Sequence, residues 1–321
     1  MQMKDDPLGR AWVELAQENP IFAASLRKAL IAFHGTDANV NLGTAGTGFI
    51  VAYTDEWLFF VSAKHVISEG ILKIQKPYTR YDGGPFDTSN EFNNVELSGR
   101  LQISVLSDDA AFLAKVVHLS INAVTDIVVG MAEIPQEYRV NRIWCNIPLA
   151  VALPSVGDCI HVCSLINKIP VEIEGIQEQR AFRIERGVTL RKGEVTGVYP
   201  QGFNQYKWPC FTTSIPAGPG MSGGFAYSPL DGQTIAACGI VCAETSEADG
   251  INFFQEGRSV IASSWLALAN TVPSKMPRVN NSDDLTLYEM VKTGQFPQPI
   301  GDFHRIEFRK NSLDDMYIGF K

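Results

Sequence analysis

Residues 46–66 read Gly-Thr-Gly-Phe-Ile-Val-Ala-Tyr-Thr-Asp-Glu-Trp-Leu-Phe-Phe-Val-Ser-Ala-Lys-His-Val. Two runs of β-branched and aromatic residues, Gly48 to Tyr53 and Trp57 to Ser62, flank Thr54-Asp55-Glu56. That is the pattern of a β-hairpin. The same texture continues along the chain. It predicts strands near 100–106, 111–119 and 126–133, then near 158–165, 171–175, 181–187, 193–199, 208–213, 223–227, 234–242 and 251–256. Short strands at regular spacing, without helices alternating between them, specify an all-β sandwich or barrel rather than βαβ units. Residues 78–99, polar and carrying Asp82-Gly83-Gly84-Pro85, read as a long surface loop. Residues 135–156, with Pro135, Pro148 and Pro154, read as a linker between two halves.

The flanks differ. Leu8, Trp12, Leu15, Ala16, Ile21, Phe22, Leu26, Leu30 and Ile31 recur at three- and four-residue steps, which predicts helix over 8–33 with a break at Pro20. Residues 260–270 and 283–292 also read as helical, and 304–309 as a strand.

The chain has 321 residues, 45% apolar and 19% charged, which is room for about two domains. A chain of this size buries about 75% of its unfolded surface and needs no covalent staples. Lys and Arg number 27 against 35 Asp and Glu, a net charge of -8 with a pI near 5.2. That balance argues against a nucleic-acid partner, which selects a basic stripe. The sequence contains no apolar run of 18 residues, so no membrane span is expected. The acidic start, Met1 to Pro7, lacks a signal-peptide pattern, which points to a cytoplasmic protein. Cys145, Cys159, Cys163, Cys210, Cys238 and Cys242 then read as reduced thiols, and none has zinc-site spacing.

Three segments carry chemistry. Ser62-Ala63-Lys64-His65-Val66 ends an apolar strand, Thr125-Asp126-Ile127-Val128 opens another, and Gly218-Pro219-Gly220-Met221-Ser222-Gly223-Gly224 forms a glycine-rich loop. A serine hydroxyl is a weak nucleophile at neutral pH and needs an adjacent base. Histidine can be that base, because its unperturbed pKa is near neutrality. A carboxylate behind the histidine fixes its tautomer and stabilises the imidazolium. Glycines around the serine free the backbone to present N–H groups to an oxyanion. His65, Asp126 and Ser222 are therefore the candidate triad, with Asp108 and Asp109 as alternatives for the acid.

These segments, in this order, resemble the trypsin-like, chymotrypsin-fold serine peptidases. The texture is closest to bacterial HtrA-like protease domains without a PDZ domain, and the resemblance spans residues 34–270. It implies two six-stranded antiparallel β-barrels, residues 34–145 with His65 and Asp126 and residues 146–272 with Ser222. A helical extension would precede them at 1–33, a helix would end the second barrel, and a tail would follow at 273–321. The resemblance further implies an oxyanion hole from the N–H groups of Gly220 and Ser222. It implies substrate contacts from Pro216 and Ala217 at the pocket floor and from Cys242, Ala243 and Glu244 along one edge. Cys242 stands where the family has a hydroxyl. Met221 stands where digestive members have the acid that receives a new N-terminus, so activation by N-terminal cleavage is not implied.

The expected function is a serine endopeptidase acting on protein or peptide through an acyl-enzyme, without metal or organic cofactor. Two readings stand beside it, a protease-fold scaffold that binds peptide without cleaving it and an esterase using the same triad. An uncharged floor favours an apolar or small substrate side chain. Glu244, Glu247 and Asp249 leave a basic preference open. A peptidase of the cytosol needs narrow specificity or a regulatory partner.

Overall fold

The structure is a computed structural model. It describes residues 4–5, 11–36, 42–67, 101–106, 111–121, 124–167, 171–173, 181–183, 186–203, 206–218, 220–229, 234–242, 259–275, 284–310 and 316–320. An N-terminal hairpin, β1 (Lys4–Asp5) and β2 (Ala11–Glu14), leads into α1 (Pro20–Arg27). Six strands follow: β3 (Leu30–Thr36), β4 (Leu42–Tyr53), β5 (Trp57–Ala63), β6 (Leu101–Leu106), β7 (Ala111–Ile121) and β8 (Ile127–Glu133). They close into a barrel in the order β3-β4-β5-β8-β7-β6, and every pairing is antiparallel.

Beyond the short β9 (Ala150–Val151) the chain builds β10 (Cys159–Asn167), a small hairpin of β11 (Val171–Ile173) and β12 (Ala181–Arg183), and β13 (Arg186–Tyr199). Then come β14 (Cys210–Thr213), β15 (Phe225–Tyr227), β16 (Gly239–Val241) and β17 (Ser259–Ser263). Here the order is β13-β10-β15-β16-β17-β14, and β13 pairs with β14 to close a second antiparallel six-stranded barrel. Two such barrels in series are the chymotrypsin fold.

Packing explains the sequence texture. On β7, Phe112, Ala114 and Val116 are buried while Ala111, Leu113 and Lys115 are exposed, the alternation of a half-buried strand. On β5 every residue after Trp57 is buried, so the run Leu-Phe-Phe-Val does not alternate. Its Phe60 points into the first barrel against Phe33, at 5.5 Å between ring centroids. Gly130 on β8 leaves the room, since a Cβ there would overlap the Phe60 ring. Phe59 on the opposite face meets Phe296 of the C-terminal tail at 5.7 Å. Phe49 of β4 and Phe225 of β15, at 5.3 Å, join the barrels.

The flanks correct three expectations. The N-terminal extension is helical only over Pro20–Arg27, started by Asn19, whose side chain accepts the Phe22 N–H, and by Pro20 at the first helical position. Residues 11–14 instead add a strand to β13 of the second barrel, with Glu14 opposite Arg191. An open strand edge there outweighs the helical spacing of Trp12, Leu15 and Ala16. The first barrel also begins at Leu30 rather than at 34. The helix expected over 260–270 is the last barrel strand, Ser259–Ser263, followed by a 3-10 turn, Ser264–Ala269. The β-branched Val260 and Ile261 belong to that strand.

In the tail, β18 (Thr271–Pro273) pairs with β19 (Asp284–Thr286), and Thr286 with Glu289 forms a capping box that opens α2 (Leu287–Lys292). β20 (Ile300–Gly301) runs parallel to β9, and β21 (Ile306–Lys310) pairs with β22 (Met316–Phe320). The loop expected at 78–99 and the strand expected at 251–256 lie outside the described residues. Among the described residues, no helix is long and apolar enough to cross a membrane. The six cysteines are free thiols.

Candidate active site

Antiparallel pairing of β5 with β8 sets Ala63 opposite Ile127. One residue beyond that pair stand Lys64 and Asp126, and His65 follows Lys64, so the register brings His65 and Asp126 to one spot. A helical turn follows β5 at residues 64–67. The Lys64 N–H donates to the Asp126 carbonyl at 3.0 Å. The His65 N–H donates to Asp126 Oδ1 at 3.0 Å, and His65 Nδ1 meets Asp126 Oδ2 at 2.8 Å. Both side chains are largely withdrawn from solvent, 15% exposed for His65 and 7% for Asp126. One carboxylate thus holds both the backbone and the ring of His65. An ionised carboxylate only accepts, so Nδ1 carries the proton and the basic lone pair sits on Nε2.

The serine loop belongs to the second barrel but is fastened to the first. On β4, the Thr47 N–H donates to the Ser222 carbonyl at 2.8 Å, and Thr47 Oγ1 donates to the Gly220 carbonyl at 2.7 Å. The same hydroxyl accepts the Leu165 N–H of β10 at 3.1 Å. Thr47 is fully buried. Gly46, beside it, lies between Val66 and Ser222: a Cβ there would meet the Val66 methyls and the Ser222 carbonyl oxygen at 2.9 Å. The serine is therefore seated next to the residue that follows His65.

The loop's conformation explains its glycines. Gly220 and Gly223 have φ of +85° and +83°, a region that glycine tolerates and side chains resist. A Cβ on Gly223 would also overlap the Thr47 carbonyl oxygen and Ser62 Oγ. The Gly223 N–H donates to the Val241 carbonyl at 2.8 Å, and the Met221 carbonyl accepts the Gly224 N–H at 3.0 Å. Because a trans peptide opposes its C=O and N–H, the Ser222 N–H points away from that inward bond. Met221 itself is buried among Ile160, Val162, Ile215 and Ala217, and its sulfur accepts the Gly218 N–H at 3.1 Å. It makes no ion pair there.

Of the residues expected to contact substrate, Pro216 is half-buried and its carbonyl accepts Arg191 Nη1 at 2.6 Å. The Ala217 side chain is buried in the second-barrel core. Cys242 is fully buried, and its thiol lies 3.9 Å from the Asp126 carbonyl and 3.6 Å from that of Ile240. Burial, reinforced by the Asp126 charge, pushes that thiol well above its ordinary pKa. It therefore stands behind Asp126 as a neutral, weak donor. Ala243, Glu244, Glu247, Asp249, Asp108 and Asp109 lie outside the described residues. Among the described residues, no group of three or more His, Cys, Asp or Glu could hold a metal ion.

Two residues that matter to this geometry have no motif of their own. Thr47 is a hydroxyl between Gly46 and Gly48, a signal of close packing only in retrospect. Arg191 is one of many surface-type cations in a strand.

No protein-family model and no curated protein sequence matches the chain. Among solved structures, the chain is similar to the MamO protease domain of Magnetospirillum magneticum. That comparison has a TM-score of 0.40 and 13% identity, and covers 75% of this chain and 94% of that one. It is also similar to human heparin binding protein, with a TM-score of 0.42 and 11% identity, over 87% of this chain and 96% of that one.

Proposed function

We propose that the chain is a serine endopeptidase. The observation that carries this is the double hold of Asp126 on His65, through the backbone at 3.0 Å and the ring at 2.8 Å. It leaves Nε2 as the basic nitrogen, and Gly46, packed between Val66 and the Ser222 carbonyl, supports a serine close to that ring. Ser222 Oγ attacks the scissile carbonyl while its proton passes to His65 Nε2. The resulting oxyanion is met by the N–H groups of Gly220 and Ser222. Imidazolium then gives the proton to the departing amine, leaving Ser222 acylated. Water, deprotonated by the same nitrogen, releases the acid and restores the serine. Asp126 stays ionised and keeps His65 in its tautomer.

Protein or peptide is the substrate class. The half-buried Pro216 and the uncharged segment around it support a preference for an apolar or small side chain. Six free thiols support a reducing compartment such as the cytoplasm. The first experiment is labelling with a fluorophosphonate, followed by peptide mass mapping. Adduct on Ser222, absent in His65→Ala, supports the reading. Unlabelled protein that still binds peptide would leave a protease-fold scaffold instead.

A further inference from the structure

The N-terminal strand reaches Pro216 through two side chains. Glu14 pairs with Arg191 across β2 and β13, and the Leu15 N–H donates to the Leu190 carbonyl at 2.6 Å. A carboxylate at a strand end usually faces water. Glu14 is instead only 18% exposed and accepts four bonds. Oε1 takes the N–H groups of Leu190 at 2.9 Å and Ala16 at 3.3 Å. Oε2 takes Thr189 Oγ1 at 2.5 Å and Arg191 Nε at 3.4 Å. Arg191 is 17% exposed, and its guanidinium lies over the Trp12 ring, 4.7 Å from the centroid. Its far nitrogen, Nη1, donates to the Pro216 carbonyl at 2.6 Å.

We infer that Glu14, Trp12 and Arg191 form a strut by which the N-terminal strand sets the floor of the substrate pocket. Residues 11–14 are then part of the specificity apparatus rather than a cover for a barrel edge. This rests on the peptidase reading, under which Pro216 stands at the pocket floor.

The segment next to Pro216 already lies on β13. The Ser214 N–H donates to the Glu194 carbonyl at 2.9 Å, and Ser214 Oγ accepts the Glu194 N–H at 3.0 Å. Gly193 permits the approach, since a Cβ there would stand 2.6 Å from both Ile215 and Ser214. Proline has no N–H, so at position 216 the carbonyl is the backbone handle, and Arg191 holds it. An arginine buried this far needs a counter-charge, and Glu14 supplies it from the added strand. The nucleophile, by contrast, is fastened from the first barrel through Thr47. The two ends of the loop therefore have separate anchors, and loss of the strut should disturb the pocket before it disturbs Ser222.

The test uses full-length Glu14→Ala and Arg191→Met proteins and three readouts. Diisopropyl fluorophosphate labels the serine without placing a side chain in the pocket. A fluorogenic tetrapeptide anilide, with an apolar residue before the scissile bond, fills it. Hydrogen exchange at the amides of Ser214, Ile215 and Ala217 reports the floor segment directly. The expected result is a tenfold or larger loss of kcat/KM on the anilide, mostly through KM. Labelling should change less than threefold, and exchange at those three amides should quicken at least tenfold, with Val61 and Val129 unchanged. Equal loss of labelling and anilide turnover, the mark of general destabilisation, would overturn the strut, as would unchanged exchange at 214–217. Should either variant fail to fold, Glu14→Gln keeps the shape and one acceptor, and the same split at smaller size is required of it. If the wild-type protein is not labelled at all, the peptidase reading falls, and the exchange measurement still decides the strut.

Discussion

Removing one hydroxyl from Thr47 should loosen the nucleophile loop from the first barrel. Thr47→Val keeps the branched shape and the backbone N–H that holds the Ser222 carbonyl. It deletes the donor to the Gly220 carbonyl and the acceptor of the Leu165 N–H, both at a fully buried position. Stranding a buried polar group costs about 1–3 kcal/mol, so two stranded groups cost about 2–6 kcal/mol where neither finds water. For a chain of this size that lowers the midpoint of thermal unfolding by roughly 3–9 °C. Catalysis should suffer as well, since the Gly220 carbonyl fixes the turn that aims the oxyanion donors. The loss is bounded by that of one such donor, about 10²–10³ in kcat. Circular dichroism melts and the rate of Ser222 labelling measure the two effects on one sample. Thr47→Ser keeps the hydroxyl and should stay close to wild type in labelling. A Thr47→Val protein that melts and labels like wild type would refute the claim that this hydroxyl couples the barrels.

Asp126→Asn should lower kcat/KM by about 10⁴ at neutral pH by favouring the wrong His65 tautomer, whereas Asp109→Asn should leave it unchanged; the reverse result would reassign the acid. In the wild type, kcat/KM should rise between about pH 5 and 8 as the imidazole loses its proton, and a flat stopped-flow profile over that range would exclude His65 as the base. Ser222→Ala should lose turnover by a factor on the order of 10⁶ with an unchanged melt, and activity within tenfold of wild type would sink the assignment. Burial, with Lys192 as the lesser cause, holds His161 down to about 4 from 6.5. The unfolded chain then takes up a proton that the folded one refuses between those values, so the stability is present above pH 6.5 and lost as pH falls toward 4. His161→Gln should flatten the dependence of the melt on pH over that window. Burial pushes Cys210 and Cys238 up to about 12 and Cys163 and Cys242 upward as well. Iodoacetamide at pH 8 should therefore modify the partly exposed Cys145 and Cys159 first, and early loss of Cys242 would contradict its placement behind Asp126.

The barrels were legible because their strands carry their own signal. A half-buried strand alternates, as β7 does, and one buried on both faces runs continuously apolar, as β5 does. The His65 and Asp126 pairing was legible only through the order of the motifs and their resemblance to the trypsin-like peptidases, and the register shows why the two meet. Each residue sits at the end of a strand whose partner is its neighbour in the barrel. The N-terminal strand was not legible. Its four residues take their conformation from β13, nearly two hundred positions later, and by themselves they fit a helix as well. Residues 260–263 failed in the same way, for a short strand between two neighbours has little pattern of its own. Thr47 was missed because its partners Gly220 and Leu165 are 173 and 118 positions away. No spacing rule reaches that far.

The two anchors of the loop suggest how this fold separates precision from tolerance. His65 and Asp126 are joined by three hydrogen bonds within one barrel, counting that of the Lys64 backbone, so their mutual geometry is set within that barrel. Ser222 must instead be placed across the barrel interface, and Thr47 does so with backbone as well as side chain. The bond from the Thr47 N–H cannot be lost by substitution, short of proline, whereas that from its hydroxyl can. The Pro216 segment, the pocket floor of the proposed peptidase, depends on neither. It hangs from Arg191, and through Arg191 on a strand contributed by the chain's first segment. A change that frees that strand would alter which substrate is bound while leaving the nucleophile poised. Selectivity and chemistry can then vary independently, because separate elements, on opposite sides of one loop, hold them in place.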